Sequence, residues 1–181
     1  LLDNFYVSKK MKNSIASLRY FNPIGAHQSG FIGENPKGIA NNIFPLINNV
    51  AIGKINELKI FGNDWDSEDG TGVRDYIHVM DVADGHIKAL NYLMKNKSLN
   101  LKINLGTGQG TSVLKLLEVF QRVNKIKLRY SFSERRKGDV GILFADNSLA
   151  KELLKWSPKR TIEDMCRDGW KWEKENFKGY K

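Results

Sequence analysis

The 181-residue sequence predicts an α/β fold. Two observations carry that prediction: stretches with apolar residues at helical spacing alternate with short strand-like runs, and glycine-rich turns fall where a strand hands over to a helix. The first unit shows the order. Residues 1–12 carry Leu2, Phe5 and Tyr6 at helical spacing and end in a lysine-rich turn, which suits a helix C-terminus. Ile15 to Phe21 then reads as a strand, and Asn22-Pro23 ends it. A helix followed by a strand is the tail of an α/β unit that begins upstream. With Leu1 rather than methionine at the start, the expectation is a piece of a longer chain.

Residues 25–40 hold Gly25, Gly30, Gly33, Pro36 and Gly38 and are expected to form a loop. Asn41 or Asn42 opens a helix to about Ile52, with Ile43, Leu46, Ile47 and Val50 as its apolar face. The amide at its start either caps the helix or faces a ligand. Leu58 to Phe61 is a short strand that points Leu58 and Ile60 one way and Phe61 the other. Residues 62–72 form a long turn rich in Gly and Asp.

Gly70 to Asp81, GTGVRDYIHVMD, is the stretch with the most chemistry. As one strand from Val73 to Val79, it places Val73, Asp75, Ile77 and Val79 on one face and Arg74, Tyr76 and His78 on the other. An arginine fork suits phosphate or carboxylate, and a glycine turn leaves room for a ligand. A half-exposed strand with a mixed polar face gives the same pattern, so the alternation alone leaves both readings open.

Asp81 and Asp84 read as N-cap and first-turn acid of the next helix, whose stripe is Ala83, Ile87, Leu90 and Met94. Ile103 to Leu105 is a strand that enters Gly106-Thr107-Gly108-Gln109-Gly110. This G-x-G-x-G departs by one place from the dinucleotide fingerprint G-x-G-x-x-G, and no acid follows at the end of a second strand. We read it as a strand-to-helix turn capped by Thr111 or Ser112, opening a helix with Val113, Leu116, Leu117, Phe120 and Val123 inward. A strand from Leu128 to Phe132 aligns Leu128, Tyr130 and Phe132. It is followed by a cationic turn in which Arg136 and Asp139 lie close enough to converge on one ligand. Ile142 to Ala145 forms another strand, Asp146 caps a helix holding Leu149, Leu153 and Leu154, and Thr161 with Asp164 opens the last helix, carrying Ile162, Met165, Gly169 and Trp172.

Composition narrows the function classes. At 41% apolar and 27% charged the chain resembles globular proteins, and it lacks both a signal-peptide pattern and the ~20-residue apolar run of a membrane span. The net charge of +9 is mostly lysine scattered over helices, which argues against a nucleic-acid site and for a solvated surface that steers anionic small ligands. Cys166 is a lone cysteine inside a helical pattern, expected as core packing. None of His27, His78 and His86 has the paired carboxylate expected of a general base. Tyr6 and Lys10 form Y-x-x-x-K, a spacing that chance supplies readily in a lysine-rich chain.

The segments LRYFNPIGAHQSGFIGENPKGIANN, FGNDWDSEDGTGVRDYIHVMDVADGH, NLGTGQGTSV, RRKGD and DNSLAKELLKW together resemble the UDP-glucose 4-epimerase family of extended short-chain dehydrogenases, in family order from about Ile15 to Lys181. The resemblance implies residues 1–24 as the tail of a Rossmann-type NAD-binding domain, and 25–181 as mainly a smaller α/β UDP-sugar-binding domain with some segments returning to the Rossmann sheet. It implies that the catalytic tyrosine and lysine lie upstream of Leu1, which leaves Tyr6 and Lys10 a coincidence. NAD is the implied cofactor and a UDP-hexose the implied partner, with no nucleic acid and no membrane, a cytoplasmic location and a homodimer at full length.

The roles it implies fall on particular residues. Tyr20, Phe21 and Pro23 would close over the nicotinamide half of NAD. Asn22 and Asn42 would contact the substrate diphosphate or sugar. Phe61 would lie by the uracil, with the backbone around Lys59 reading its edge. Arg74 would grip the pyrophosphate, Tyr76 would line the same pocket, and Arg136 with Asp139 would hold phosphate and ribose. Leu143 stands where side-chain size affects the fit of N-acetylated sugars. The family reaction interconverts UDP-galactose and UDP-glucose through a 4-keto sugar, so these 181 residues are expected to hold substrate without turning it over. A nucleotide-sugar dehydratase or decarboxylase, or a non-catalytic nucleotide-sugar-binding fragment, are the alternatives.

Overall fold

The computed structural model describes residues 14–36, 38, 40–96 and 99–178, so the helix expected over residues 1–12, with Tyr6 and Lys10, lies outside the described residues. Strand β1 (Ile15–Tyr20) pairs in parallel with β6 (Asn100–Leu105), with Ile15 opposite Asn100 and Tyr20 opposite Leu105. Past Tyr20 the chain changes partner: β2 (Asn22–Ile24) runs parallel to β5 (Tyr76–His78), with Asn22 opposite Tyr76. Between β1 and β5 come α1 (Ile43–Ala51), β3 (Leu58–Phe61) and the two-residue β4 (Val73–Arg74). After β5 follow α2 (Val79–Lys95), β6, β7 (Thr111–Ser112), α3 (Val113–Asn124), β8 (Tyr130–Ser133), β9 (Ile142–Leu143), α4 (Ser148–Leu154) and α5 (Ile162–Glu175). β3 pairs with β8 in parallel, while β4 is flanked by antiparallel β7 and parallel β9.

Two cores result. One, built of Ile77, Val82, Ala89, Ile103, Leu105, Ala150, Leu154 and Trp156, joins α2 and α4 to the β1–β6 pair. The other gathers Phe44, Ile47, Leu58, Ile60, Leu116, Leu117, Val119, Phe120, Met165 and Cys166 from α1, β3, α3 and α5. Phe44 meets Phe120 edge-on at 6.0 Å between ring centroids. A Cβ on Gly169 would lie 2.2 Å from Phe44 Cε1, so glycine lets α5 close on α1. Cys166 is buried there, and burial pushes its thiol up to about 12. Thr161 and Asp164 form a complete capping box on α5, as the spacing predicts.

Several expectations need correcting. The strand over Val73 to Val79 breaks at Asp75 into β4 and β5, because the backbone changes hydrogen-bond partner there. Val79 belongs to α2, whose N-cap is His78, not Asp81; the His78 Nδ1 accepts from the Met80 amide at 3.0 Å. Asp81 instead is buried and receives the Lys159 and Arg160 amides and the Arg160 guanidinium. The expected stripe of α2 faces outward: Ile87, Leu90 and Met94 are 58, 59 and 74% exposed, and Ala83 is exposed as well. Small residues take the inner face, since a Cβ on Gly85 would lie 2.7 Å from Leu105 Cδ1 and the helix sits close on the strands.

Similarly, α1 buries Phe44, Pro45, Ile47 and Asn48, leaving Ile43, Leu46 and Val50 at the core margin. Leu128 is buried before β8 starts, whereas Tyr130 and Phe132 are exposed and stack edge-on with each other. β9 stops at Leu143 instead of reaching Ala145. Asn147 is the N-cap residue of α4, although Asp146 Oδ1 does accept from the Ser148 amide, and Leu149 lies outward. His78 also has a paired carboxylate after all: Asp168, 90 residues along the chain, lies 3.3 Å from its Nε2.

Two tests follow from this packing. Gly169→Ala forces Phe44 off its seat, and the expected loss is about 1–3 kcal/mol of unfolding free energy in a urea titration. His78 is buried, which pulls its imidazole below the usual range, with the Asp168 hydrogen bond opposing more weakly. The unfolded chain therefore binds this proton first on acidification. The contribution is intact above about pH 6.5 and shrinks as pH falls from there toward the lowered folded value. Unfolding free energies at neutral pH and at about pH 5.5 measure it, and His78→Asn should flatten the difference.

Candidate functional site

β3, β4, β5 and the start of α1 surround a cavity of about 150 Å³. Asn22, Asn42, Lys59, Phe61, Arg74, Tyr76, Arg136 and Asp139, drawn from segments spread over the chain, all line it. Arg74 reaches in from β4, its Nη1 donating to the carbonyls of Val73 (2.8 Å) and Gly141 (3.3 Å). No carboxylate pairs with this half-buried guanidinium among the described residues. Its charge is only partly answered by two neutral carbonyls, which leaves it suited to an anion.

Tyr76 lies two residues further along and is 3% exposed, and its hydroxyl has no hydrogen-bond partner among the described residues. Burial pushes its phenol well above the usual range, opposed more weakly by Arg74, so the hydroxyl stays protonated and can donate. Asn22 faces the same space because β2 pairs it with Tyr76. Asn42 is the N-cap residue of α1, yet its side chain makes no capping bond and is exposed at the cavity.

The β3 wall offers backbone. Leu58 gives its amide to the Arg129 carbonyl just before β8, at 2.9 Å, and Gly62 gives its amide to Ser133 of β8, at 2.8 Å. Strand alternation therefore turns the amide and carbonyl of Lys59 to the unpaired edge. The Lys59 ammonium is occupied elsewhere, 2.6 Å from Glu57 and 2.9 Å from Ser131 Oγ. Phe61 is 36% exposed, and the Arg136 guanidinium lies over its ring at 4.7 Å. Arg136 also pairs with Asp139 at 3.0 Å, so these two converge on each other as well as on the cavity.

Next to it lies a more open cavity of about 500 Å³, lined by Arg19, Tyr20, Phe21, Asn104 and Leu143 and sharing Asn22 and Arg74 with the first. The Tyr20 hydroxyl is 2.9 Å from His86 Nε2; because His86 Nδ1 faces the Val82 carbonyl, it is the tyrosine that donates. Pro23, expected beside Tyr20 and Phe21, is exposed in β2 opposite Ile77 and lines neither cavity.

Some lining residues escaped the sequence reading. Trp65 lines the first cavity, stacked under Arg135 at 3.9 Å; an aromatic four places after Phe61 in FGNDWD was the available signal. Arg19 and Asn104 are opposite each other in the β1–β6 pair, so the strand register would have placed both together. Among the described residues no group of three or more His, Cys, Asp or Glu side chains is placed to hold a metal ion, and no helix is long and apolar enough to cross a membrane.

Comparison with known proteins comes from sequence and from structure. The model of the family described as GDP-mannose 4,6 dehydratase matches residues 1–169. UDP-glucose 4-epimerase from Bacillus subtilis is 51% identical over 168 residues, covering 93% of this chain and 49% of the relative. The enzyme of that name from Pasteurella multocida is 52% identical over the same length, with the same coverage. The chain thus spans about half the length of the curated relatives it matches. The crystal structure of UDP-glucose-4-epimerase from Stenotrophomonas maltophila, with bound NAD and formylated UDP-arabinopyranose, superposes with a TM-score of 0.92 at 45% identity, over 96% of this chain and 51% of that one. The Bifidobacterium longum enzyme, in complex with NAD+ and UDP, also gives 0.92, at 40% identity over 98% and 52%. On these matches, and with the α/β fold seen here, the chain belongs to the GDP-mannose 4,6 dehydratase family and is similar within it to UDP-glucose 4-epimerases.

Proposed function

We propose that this chain supplies the UDP-sugar-holding part of an NAD-dependent UDP-glucose 4-epimerase, an isomerase that interconverts UDP-galactose and UDP-glucose through a 4-keto sugar. The observation that carries the reading is the Arg74 guanidinium, half-buried in a cavity and without a carboxylate partner among the described residues. Beside it, a free backbone edge at Lys59 and the Phe61 ring suit a base, and the protonated Tyr76 hydroxyl suits a phosphate or sugar oxygen.

In this reading the chain's residues bind and orient. Arg74 holds the diphosphate, with Asn22 and Asn42 donating to diphosphate or sugar oxygens. The Lys59 amide and carbonyl read the uracil edge while Phe61 covers its face, and Arg136 with Asp139 holds phosphate and ribose hydroxyls. The hexose then extends toward the second cavity, where apolar Leu143 leaves it free to turn. Tyr20 and Phe21 wall that cavity with aromatic surface, a fit for the nicotinamide half of NAD. When bound, NAD supplies the hydride acceptor and donor at C4 of the hexose. Proton transfer falls in this reading to the tyrosine that the family resemblance places in the rest of the protein.

The domain division belongs to the same proposal. Residues 14–24, whose strand β1 pairs with the segment 100–105, form with it the NAD side, and the rest, with the α1–α3–α5 core, is mainly the UDP-sugar domain. A place in galactose metabolism, a cytoplasmic location and a homodimer complete the proposal. The scattered lysines favour anionic small ligands over nucleic acid.

Calorimetric titration of the chain with UDP tests the site. A charge-assisted contact of about 1.5–3 kcal/mol corresponds to roughly ten- to hundredfold in affinity, so Arg74→Ala should weaken UDP binding by at least tenfold. Unchanged affinity would remove the assignment. Arg136→Ala serves as a contrast for stability: its pair with Asp139 is half-exposed, and the expected change in unfolding free energy stays within about 1 kcal/mol.

A further inference from the structure

The residue between Arg74 and Tyr76 touches neither cavity, yet it is fully buried. Asp75 Oδ1 accepts from the Thr107 amide (2.8 Å) and hydroxyl (2.6 Å), and Oδ2 accepts from the amides of Gly108 (2.9 Å) and Ala145 (3.1 Å). Its backbone carbonyl accepts from the Asn22 amide at 2.9 Å. One residue thus fastens β2, the turn at 106–108 and the segment just after β9. Two of these adjoin the cavity walls, β2 through Asn22 and the segment after β9 through Leu143, two residues before Ala145, while Arg74 and Tyr76 flank Asp75 itself. Gly106 is glycine for this reason, since a Cβ there would lie 2.6 Å from Asp75 Oδ2 and 2.5 Å from the Ala145 Cβ.

We propose that Asp75 is the positioning residue of the nucleotide-sugar site. Its carboxylate takes up the break between β4 and β5 and so aims Arg74 into the cavity while it ties the Leu143 wall to the same point. A continuous strand would give Arg74 and Tyr76 one common sheet partner. The break lets Arg74 take its register from β9 and Tyr76 from β2; the Asp75 carbonyl fixes the β2 side through the Asn22 amide, and the carboxylate fixes the β9 side through the Ala145 amide while Thr107 and Gly108 hold it in place. An amide at this position would bring an NH₂ group against backbone N–H groups that have no other acceptor there. The proposal rests on the reading of the cavity as a UDP site.

A double-mutant cycle on the chain, read by calorimetric titration with UDP and by thermal unfolding, tests it. Asp75→Asn should lower UDP affinity at least about tenfold in the wild-type background and by less than about twofold once Arg74 is alanine, since both changes remove the same contact. The loss in melting temperature should be alike in both backgrounds. A general structural role predicts equal affinity losses in the two backgrounds, and that result, or wild-type affinity in Asp75→Asn, overturns the proposal. Should Asp75→Asn fail to fold, Thr107→Val removes one donor and is expected to show the same coupling to Arg74 with a smaller loss. Thr107→Ser, which keeps the hydroxyl, should retain wild-type affinity; a loss in Thr107→Ser equal to that in Thr107→Val overturns the proposal. UDP binding that ignores Arg74→Ala places the diphosphate elsewhere and overturns it too. A wild-type chain that binds no UDP removes the UDP reading and this proposal together, whereas binding that depends on Arg74 but not on Asp75 removes this proposal alone.

Discussion

A carboxylate with no access to water has to have its charge answered by the protein, and Asp75 has it answered by four donors. That requirement shapes much of its surroundings. The turn at 106–108 must come close, which demands glycine at 106, and Gly108 takes a positive φ of 75° so that its amide can turn toward the carboxylate. The G-x-G-x-G run is therefore a clasp on a buried acid. Ala145 must present its amide to the same group, which ends β9 early and starts the approach to α4. A local break in one strand thereby ties together three segments that are far apart in sequence.

Around this clasp the cavity divides its polar groups in a consistent way. Charges that face other charges, such as Lys59 with Glu57 and Arg135 with Asp64, sit at the exposed margin, where ion pairs contribute little. Among the described residues, Arg74 is left with carbonyls alone. Leaving a half-buried cation short of an anion costs stability, and a fold retains such a group where a ligand completes it. Tyr76 is the neutral counterpart: burial keeps its hydroxyl protonated, and its donor finds no acceptor among the described residues. Under the proposed reading, a site with polar groups at one end and Leu143, Tyr20 and Phe21 at the other would hold a nucleotide more tightly than the sugar attached to it.

Much of this arrangement was legible in the sequence because it depends on local periodicity. The facing of Arg74 and Tyr76 onto one cavity, the Phe61 face of β3, the stripe of α3 and the Thr161–Asp164 box all agree with residue spacing. What period-two alternation does not contain is a change of hydrogen-bond partner, so the break at Asp75 was invisible in it. The inner face of α2 was misread for a related reason: Ile87, Leu90 and Met94 make the more apolar stripe, but Gly85 and Ala89 permit the closer approach to the strands. His78 and Asp168 meet from elements 90 residues apart, a distance over which spacing carries no information. Pro23, unlike its neighbours Tyr20, Phe21 and Asn22, lies outside the second cavity, in β2 opposite Ile77.

The central claim is that the Arg74 guanidinium takes the diphosphate of a uridine nucleotide. Side-chain Nε–Hε resonances of the arginines report on it directly when the chain is titrated in parallel with UDP and with uridine. The account predicts that the Arg74 signal shifts with UDP and stays in place with uridine, while backbone amides beside Phe61 respond to both. An Arg74 signal that is unmoved by UDP, or that moves equally with uridine, would contradict it.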